Sequence, residues 1–142
     1  MAGYMTKLQG YVYEGELVNG AAAAVENGIL MIAGTSTNAG KLVLPSADTT
    51  TKLICKEVTT IYDGVTAYRF QVDKLNACYY FVENGFDIND SAAYDKRTYT
   101  TAVGAELRAH PLVVGEEFVT TKVTGTPAVG TAYGVKADGT VG

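Results

Sequence analysis

Short runs of β-branched and aromatic residues, separated by polar and glycine-marked turns, make up most of the chain. The alternation of a β-strand is clearest in Val65–Val72, where Val65, Ala67, Arg69 and Gln71 fall on one face and Thr66, Tyr68, Phe70 and Val72 on the other. A second β-type run, Lys52–Ile61, precedes it across the turn Tyr62-Asp63-Gly64. Asp-Gly between two such runs is a strong hairpin signal, so the pattern predicts adjacent antiparallel strands.

The stretch from Ala102 to Val123 is the one around which we expect the fold to be organised. It contains the runs Leu112–Val114 and Phe118–Val123, separated by Gly115-Glu116-Glu117. Glycine followed by two acidic residues is typical of a turn. The pattern predicts that these two runs form a strand pair against which the other strands pack.

Other β-type runs follow at close spacing. They are Tyr11–Val18, Ile29–Ala33, Lys41–Leu44, Asn76–Val82, Thr98–Val103 and Ala132–Lys136. A single short helix is predicted within Phe86–Arg97, with Asn89 or Asp90 as its N-cap. Short strands with few helices predict an all-β chain, a single-domain antiparallel β-barrel or β-sandwich with at most one short helix.

The length of 142 residues fits one domain with a core of its own. We expect residues 1–142 to form this single β domain, with an N-terminal docking arm at 1–9 and a glycine-rich C-terminal segment at 124–142. The arm and this segment are the two parts that we expect to contact other subunits, and we expect the domain to stay folded when either is deleted.

Charged residues make up 18% of the chain, compared with about 25% in typical soluble domains. The chain also contains 10 tyrosines. Depletion of charge together with abundant tyrosine is the composition of protein–protein interfaces, so the balance favours a protein that assembles with others.

The net charge is −4, and Lys96-Arg97 is the only adjacent pair of basic residues. Nucleic-acid binding requires a clustered basic footprint, so a direct DNA or RNA partner is disfavoured. The longest apolar runs, Ala21–Val25 and Ile29–Ala33, are too short to span a bilayer, and no membrane partner is expected. The first residues show no basic region followed by an apolar core, so we expect assembly in a cytoplasm.

The residues that most often carry chemistry are few. His110 is the only histidine and precedes Pro111, which predicts a surface or turn position without a catalytic partner. Cys55 and Cys78 are predicted to be free, buried thiols, and a disulfide between them stays open as an alternative. Glu116 and Glu117 would point to opposite faces of a strand or into solvent from a turn. The sequence therefore predicts no catalytic residue, no cofactor and no metal site.

The candidate site is an interface made of apolar and aromatic residues near the N-terminus. Its members are Tyr4, Met5, Leu8, Tyr11 and Tyr13. Apolar side chains in a loose terminus are costly to leave in water, which favours an arm that docks on a neighbouring subunit; a frayed end is the alternative. Two of the tyrosines, at positions 11 and 13, share one strand face. They form either a binding platform or an ordinary half-buried surface.

Two stretches resemble the small head proteins of tailed bacteriophages. One is VENGILMIAG followed by a polar loop and KLVLP; the other is RAHPLVVGEEFVTT followed by VGTAYGVKADGTVG. The chain resembles the capsid decoration proteins, also called cement or auxiliary head proteins, over most of its length. The resemblance implies a β-rich, non-enzymatic protein that binds the outside of the capsid, has the major capsid protein as its partner and often forms a symmetric homo-oligomer.

The expected function is therefore that of a virion structural protein, located on the capsid exterior after assembly in the host cytoplasm. The alternatives are another assembling phage β protein, such as a tail-tube subunit, and a small carbohydrate-binding module that uses the tyrosines as a platform. A major capsid protein is disfavoured because its fold needs a longer chain with a long helix.

Overall fold

A computed structural model describes residues 17–60, 64–84 and 100–142. These ranges contain eleven β-strands and one three-residue 3-10 helix, Ser36–Asn38. The strands are β1 Val18–Asn19, β2 Val25–Glu26, β3 Leu30–Ala33, β4 Lys41–Val43, β5 Asp48–Thr60, β6 Thr66–Lys74, β7 Tyr80–Val82, β8 Thr100–Thr101, β9 Ala109–Pro111, β10 Glu117–Thr120 and β11 Ala132–Val135. The prediction of an all-β chain is confirmed.

The strands form two larger sheets and one small one. The first sheet has the order β1-β4-β3-β7-β9, the second β10-β6-β5-β11, and a two-stranded sheet joins β2 to β8. All pairs are antiparallel, as predicted, except β1 with β4, which run parallel.

The two larger sheets pack against each other across one shared core. Phe118 of β10 contacts Phe70 of β6 and Phe81 of β7, with ring centroids 5.7 and 5.2 Å apart. A second cluster lies on the opposite face of the first sheet and includes Met31 and Val82. β3 and β7, two inner strands of that sheet, therefore contribute buried residues to both faces. This explains why their sequences are continuous apolar runs rather than alternating ones.

The predicted hairpin of β5 and β6 is confirmed by its register. The two strands pair without interruption from Thr60 opposite Thr66 to Glu57 opposite Arg69, and the pairing continues to Lys52 opposite Lys74 past two irregularities. The predicted alternation also holds, since Tyr68 and Phe70 are buried while Arg69 is half-buried.

The predicted pairing within the central stretch is wrong. The strand before the turn is β9, which pairs with β7 in the first sheet, while the run after the turn contributes β10, which pairs with β6 in the second. The turn at Val114-Gly115 therefore carries the chain from one sheet to the other, with Gly115 N bonded to Val72 O at 2.7 Å. Leu112–Val114 was predicted as a strand, but the strand ends at Pro111.

The cysteine prediction holds for one residue of the two. Both thiols are free, and Cys55 is buried, but Cys78 is exposed and lies before β7. The run Asn76–Val82 forms a strand only over its last three residues. The predicted helix within Phe86–Arg97 lies outside the described residues.

The glycine-rich segment 124–142 belongs to the core, contrary to the expectation that it is a peripheral contact segment that can be deleted. Its strand β11 pairs with β5, and Val135 and Val141 are 2% and 0% exposed. Removal of this segment would expose both valines and open an edge of the second sheet. Within it, Gly134 lies directly against the backbone of β5 at Asp48.

Alanine at position 134 is expected to lower the free energy of unfolding by about 3 kcal/mol or more, the upper end for overpacking. A Cβ there would stand 2.2 Å from the carbonyl oxygen of Asp48, and a backbone atom cannot rotate away. Urea unfolding measures the loss. Gly104→Ala is the control, because its Cβ meets open space and only the positive φ of 79° is unfavourable, at about 1 kcal/mol. Equal stability of the two variants would contradict the close approach.

Candidate functional site

His110 is buried, which corrects the prediction of a surface or turn position. It lies in β9 with 3% of its surface exposed, and its Nε2 is 2.8 Å from Oε1 of Glu83. The reason is that Pro111 does not interrupt a strand here. It is the last residue of an edge strand, where the missing N–H removes no ladder bond. The histidine is thus part of a buried polar pair that holds β9 to the segment after β7.

Two buried asparagines form the most extensive polar contact in the described part of the chain. The Asn27 side chain donates from Nδ2 to the carbonyl of Asn84 at 2.7 Å and accepts at Oδ1 from the N–H of Asn84 at 2.8 Å. The Asn84 side chain also donates to Thr101 Oγ1 at 2.6 Å and accepts from the N–H of Arg108 at 2.6 Å. This arrangement ties the small sheet to the segments that follow β7 and precede β9. Its role is structural, because every one of these bonds lies within the fold.

Asp48 begins β5 with a carboxylate that receives several donors. Thr51 Oγ1 and Tyr79 OH donate to one oxygen at 2.6 and 2.7 Å, and the N–H of Thr50 donates to the other at 2.9 Å. Burial by itself would raise the pKa of Asp48, but these hydrogen bonds outweigh it and lower the pKa well below its usual range. Burial and the neighbouring carboxylate raise the pKa of Tyr79 to about 12. The hydrogen bonds of Asp48 join the start of β5 to the chain segment before β7.

A cavity of about 220 Å³ lies between β2 and the C-terminal segment. Its lining is Ala24, Val25, Glu26, Ile29, Leu44, Lys122, Asp138 and Thr140. Lys122 Nζ is 3.2 Å from Oε1 of Glu26, and the Asp138 carboxylate accepts from the backbone and hydroxyl of Thr140. Burial would raise the pKa of Asp138, but the bonds from Thr140 and the charge of Lys122 lower it. The charged residues that line the cavity thus form ion pairs or hydrogen bonds with other residues of the protein. In the described part of the chain, no group of three or more histidine, cysteine or acidic residues is placed to hold a metal ion.

The far end of the β5–β6 hairpin is exposed in the described structure. We define the hairpin end as Lys56–Thr60 of β5 together with Thr66 of β6; all six residues are exposed. On the outer side of β5 the flanking strand stops short of it, since β11 reaches only Ile54. On the other side β10 pairs with β6 as far as Tyr68, which lies opposite Val58. The open part of the hairpin end is therefore the outer edge of β5, where five successive residues are exposed. This is the surface we take as the candidate site.

The outer face beside the hairpin end carries paired charges. Arg69 Nη1 is 2.7 Å from Oε1 of Glu117, and its Nε is 3.8 Å from Glu57. Sequence analysis expected Glu117 to lie in solvent or to point from a strand, and it lies half-buried against this arginine. A partly exposed pair contributes only about 0–1 kcal/mol to stability. Its effect on the site is to leave this face with little uncompensated charge.

Exposed aliphatic side chains occur elsewhere on the described surface, but as turn or loop residues. They are Leu44, Val103, Val113, Val114 and Val129, between 40% and 61% exposed. Single exposed aliphatic residues are normal on soluble proteins. Val58, at 42%, differs because it lies in a strand with an open edge.

The five residues of the sequence-predicted interface, Tyr4, Met5, Leu8, Tyr11 and Tyr13, lie outside the described residues. Their grouping into a docking arm stays a prediction. Sequence analysis identified the hairpin but not the open end of it, although one signal was present. The run Val58-Thr59-Thr60 is β-branched and uncharged, without a proline, as an edge strand that pairs with a neighbour requires.

Comparison with known proteins identifies no relative, since no family model, no curated protein and no solved structure matches the chain. Among the described residues, no helix has the length and apolar character needed to cross a membrane.

Asn84→Ala is expected to lower the free energy of unfolding by about 2–4 kcal/mol, because it removes the partner of a buried hydroxyl and of a partly buried backbone N–H. The lost contacts are those to Thr101, Arg108 and the carbonyl of Glu106. Chemical denaturation measures the change. Asn76→Ala removes an exposed side chain of the same type and should change stability by no more than about 0.5 kcal/mol. Similar losses in both variants would contradict a structural role of the asparagine pair.

Stability is expected to fall in acid through Asp48. Its pKa is lower in the folded than in the unfolded chain, so its contribution is full above about pH 4 and is lost as the pH falls below that value. Asp48→Asn should lower stability at pH 7 by about 1–2 kcal/mol and flatten the acid limb.

Urea midpoints between pH 2 and 8 test this, with Asp73→Asn, an exposed aspartate of β6, as the control. An unchanged acid limb in Asp48→Asn would contradict this role of the Asp48 hydrogen bonds.

At alkaline pH, the raised pKa of Tyr79 gives stability that is full below about pH 10 and is lost as the pH approaches 12. Tyr79→Phe should remove that alkaline loss.

Proposed function

We propose that this chain is a non-enzymatic structural protein of a tailed-bacteriophage virion. In this role it binds the outer surface of the capsid, contacts the major capsid protein and reinforces the contacts between its subunits. Its location is the capsid exterior, reached after assembly in the host cytoplasm. The resemblance of its sequence to capsid decoration proteins motivates the proposal, and the following features of the fold support it.

The observation that carries the proposal is the exposed hairpin end, Lys56–Thr60 with Thr66. Beyond Cys55 the outer edge of β5 has no neighbouring strand among the described residues. It gains stability when another protein supplies the missing neighbour, and open strand edges are established sites of protein–protein contact. A surface of this kind is built for a protein partner rather than for a small substrate.

The contacts of His110 and Asp48 with other residues of the fold support a non-enzymatic role. The imidazole of His110 faces Glu83 inside the fold, and the Asp48 carboxylate is filled by donors from Thr50, Thr51 and Tyr79. General acid–base catalysis requires a group that reaches a substrate proton, and these groups are directed to other parts of the fold.

The charge pattern fits repeated contacts of modest strength. The guanidinium of Arg69 lies between Glu57 and Glu117 on the outer face, so a partner that covers this face meets little net charge. On a shell with many equivalent positions, weak single contacts add up through avidity. A decoration protein therefore needs no deep binding pocket.

A tail-tube subunit is the second candidate, and the same open edge favours it. A strand that pairs with the next subunit would serve a ring or a tube as well as a shell. The two candidates differ in what the purified protein binds, because a tube subunit assembles with itself and a decoration protein needs the capsid.

The purified protein is expected to co-elute with undecorated phage shells in a fixed ratio to the major capsid protein, because a decoration protein occupies equivalent positions on the lattice. Size-exclusion chromatography with light scattering, alone and with shells, measures this ratio. Shells already saturated with their decoration protein are the control and should take up little.

Formation of rings or tubes without shells would favour the tail-tube subunit. A monomer that ignores shells would contradict both roles, and glycan screening would then test the carbohydrate-binding alternative. Deletion of residues 1–9 should reduce binding to shells while leaving the thermal unfolding midpoint unchanged, since that segment is predicted to be a docking arm. Unchanged binding by the shortened chain would contradict the arm.

A further inference from the structure

The direction of the backbone groups at the hairpin end follows from the register of β6. Val72 donates its N–H to the carbonyl of Glu116 at 2.9 Å and accepts from the N–H of Gly115 at 2.7 Å, so both of its backbone groups face the β10 side. Backbone direction alternates along an antiparallel strand. Tyr68 and Phe70 therefore also face β10, whereas Ala67 and Arg69 face β5.

This alternation determines which residues of β5 remain open. Glu57 lies opposite Arg69 and Thr59 opposite Ala67, so these two residues bond to β6. Val58 and Thr60, which lie opposite Tyr68 and Thr66, must direct their N–H and C=O groups away from the hairpin. The open edge thus presents two donors and two acceptors, separated by one residue.

No other part of the described chain covers this edge. The last backbone bonds on that side of β5 belong to Cys55, which accepts from Gly130 N at 2.7 Å and donates to Thr131 O at 3.0 Å. Beyond it Val58 is 42% exposed, and Thr59 and Thr60 are exposed as well.

The usual protection against pairing ends where the three open residues begin. Natural edge strands are blunted by lysine, proline or a bulge. Here the bulge lies at Lys56, between Cys55 and Glu57, where the open part begins. The three residues that follow are β-branched and uncharged, which are the properties that favour the addition of another strand.

We propose that the open edge at Val58–Thr60 pairs with the same edge of a second copy of this chain, antiparallel about a two-fold axis at Thr59. Val58 of each copy then lies opposite Thr60 of the other, and their outward groups form four backbone hydrogen bonds. Thr59 meets its own counterpart as a non-hydrogen-bonded pair, and no charged side chain opposes another within these three residues. The second sheets of both copies become one continuous sheet.

The strand is complementary to itself in this register, which is why a second copy is the occupant. An axis through Val58 would form only two of these bonds and place Thr60 opposite the bulged Lys56. Threonine pairs and β-branched pairs across strands are also favourable. The pairing deepens the proposed role as a structural protein, on which its biological use rests, by naming the contact through which neighbouring subunits join.

A contact of three residues per copy is small beside the total of about 1,200–2,000 Å² that stable interfaces bury. The pairing is therefore weak in dilute solution and strengthened where many copies sit side by side on a lattice. A disulfide cross-link between the two copies detects such a contact even when the affinity is low.

The test compares Thr59→Cys with Thr60→Cys, both in a Cys78→Ser background that removes the exposed native thiol. In the proposed register the two Thr59 Cα atoms are about 4.5 Å apart, within the range of about 4.4–6.8 Å that disulfides bridge. The Thr60 pair is diagonal, at about 7–8 Å. Mild oxidation over a series of protein concentrations, followed by non-reducing electrophoresis, should give about tenfold more dimer for Thr59→Cys, because disulfide geometry is this restrictive.

Val58→Pro provides the second measurement. It removes an outward N–H without removing a bond to β6, since proline is tolerated where the N–H of an edge strand faces solvent. Added to Thr59→Cys, it should reduce the dimer yield several-fold while the thermal midpoint stays close to that of the parent. Equal dimer yields from Thr59→Cys and Thr60→Cys, or no dimer from either, would overturn the pairing. A parent-like yield with Val58→Pro would do the same.

The outcome is separate from that of the shell experiment. Binding to shells by a protein whose Thr59→Cys variant does not cross-link would overturn the strand pairing alone. Selective cross-linking in a protein that ignores shells would overturn the capsid role and leave the self-association surface in place.

Discussion

The packing of Phe118 between Phe70 and Phe81 is the contact on which the arrangement of the two sheets depends. Phe118 is fully buried, and truncation of such a side chain generally costs about 3–5 kcal/mol. It comes just after the turn that carries the chain from the first sheet to the second. The long β5–β6 hairpin is held at its base by this core, and the far end of β5 extends beyond β11.

Buried polar groups determine how the remaining segments join this core. Asn27 with Asn84, Glu83 with His110, and Asp48 with Tyr79 each connect segments distant in sequence. Burying a polar group without a partner is costly, whereas a bonded one costs little, so each pair favours one arrangement of the strands over others. Residues that carry catalysis in other proteins serve here as structural contacts.

The cost of leaving polar groups without a partner also shows how the open edge of β5 differs from the rest of the second sheet. Most backbone groups of the second sheet are used by neighbouring strands, and the outer charges of Arg69 and Glu117 are paired. Beyond Cys55, no described strand pairs with the outward groups of Val58 and Thr60. In the assembly proposed above, neighbouring copies would supply these partners, and weak individual contacts become strong when repeated over a lattice.

Sequence analysis predicted the all-β class, the β5–β6 hairpin with its alternation, and β11 near the C-terminus. These are local features, since strand periodicity and the Asp-Gly turn depend on residues adjacent in the chain. It failed where the partner of a strand had to be known. The two runs around Gly115 were expected to pair with each other, and His110 was expected at the surface. Neither the second sheet to which β10 belongs nor the carboxylate of Glu83 is visible from neighbouring residues.

The interface residues chosen from the sequence lie outside the described structure, and the hairpin end was not among them. Its β-branched composition was visible, but not that β11 ends before it. Most strands and their alternation can be read from adjacent residues, because they follow from local backbone preference and solvation. The neighbours of each strand and the edge that stays open become visible in the fold, because pairing depends on contacts between residues far apart in the chain.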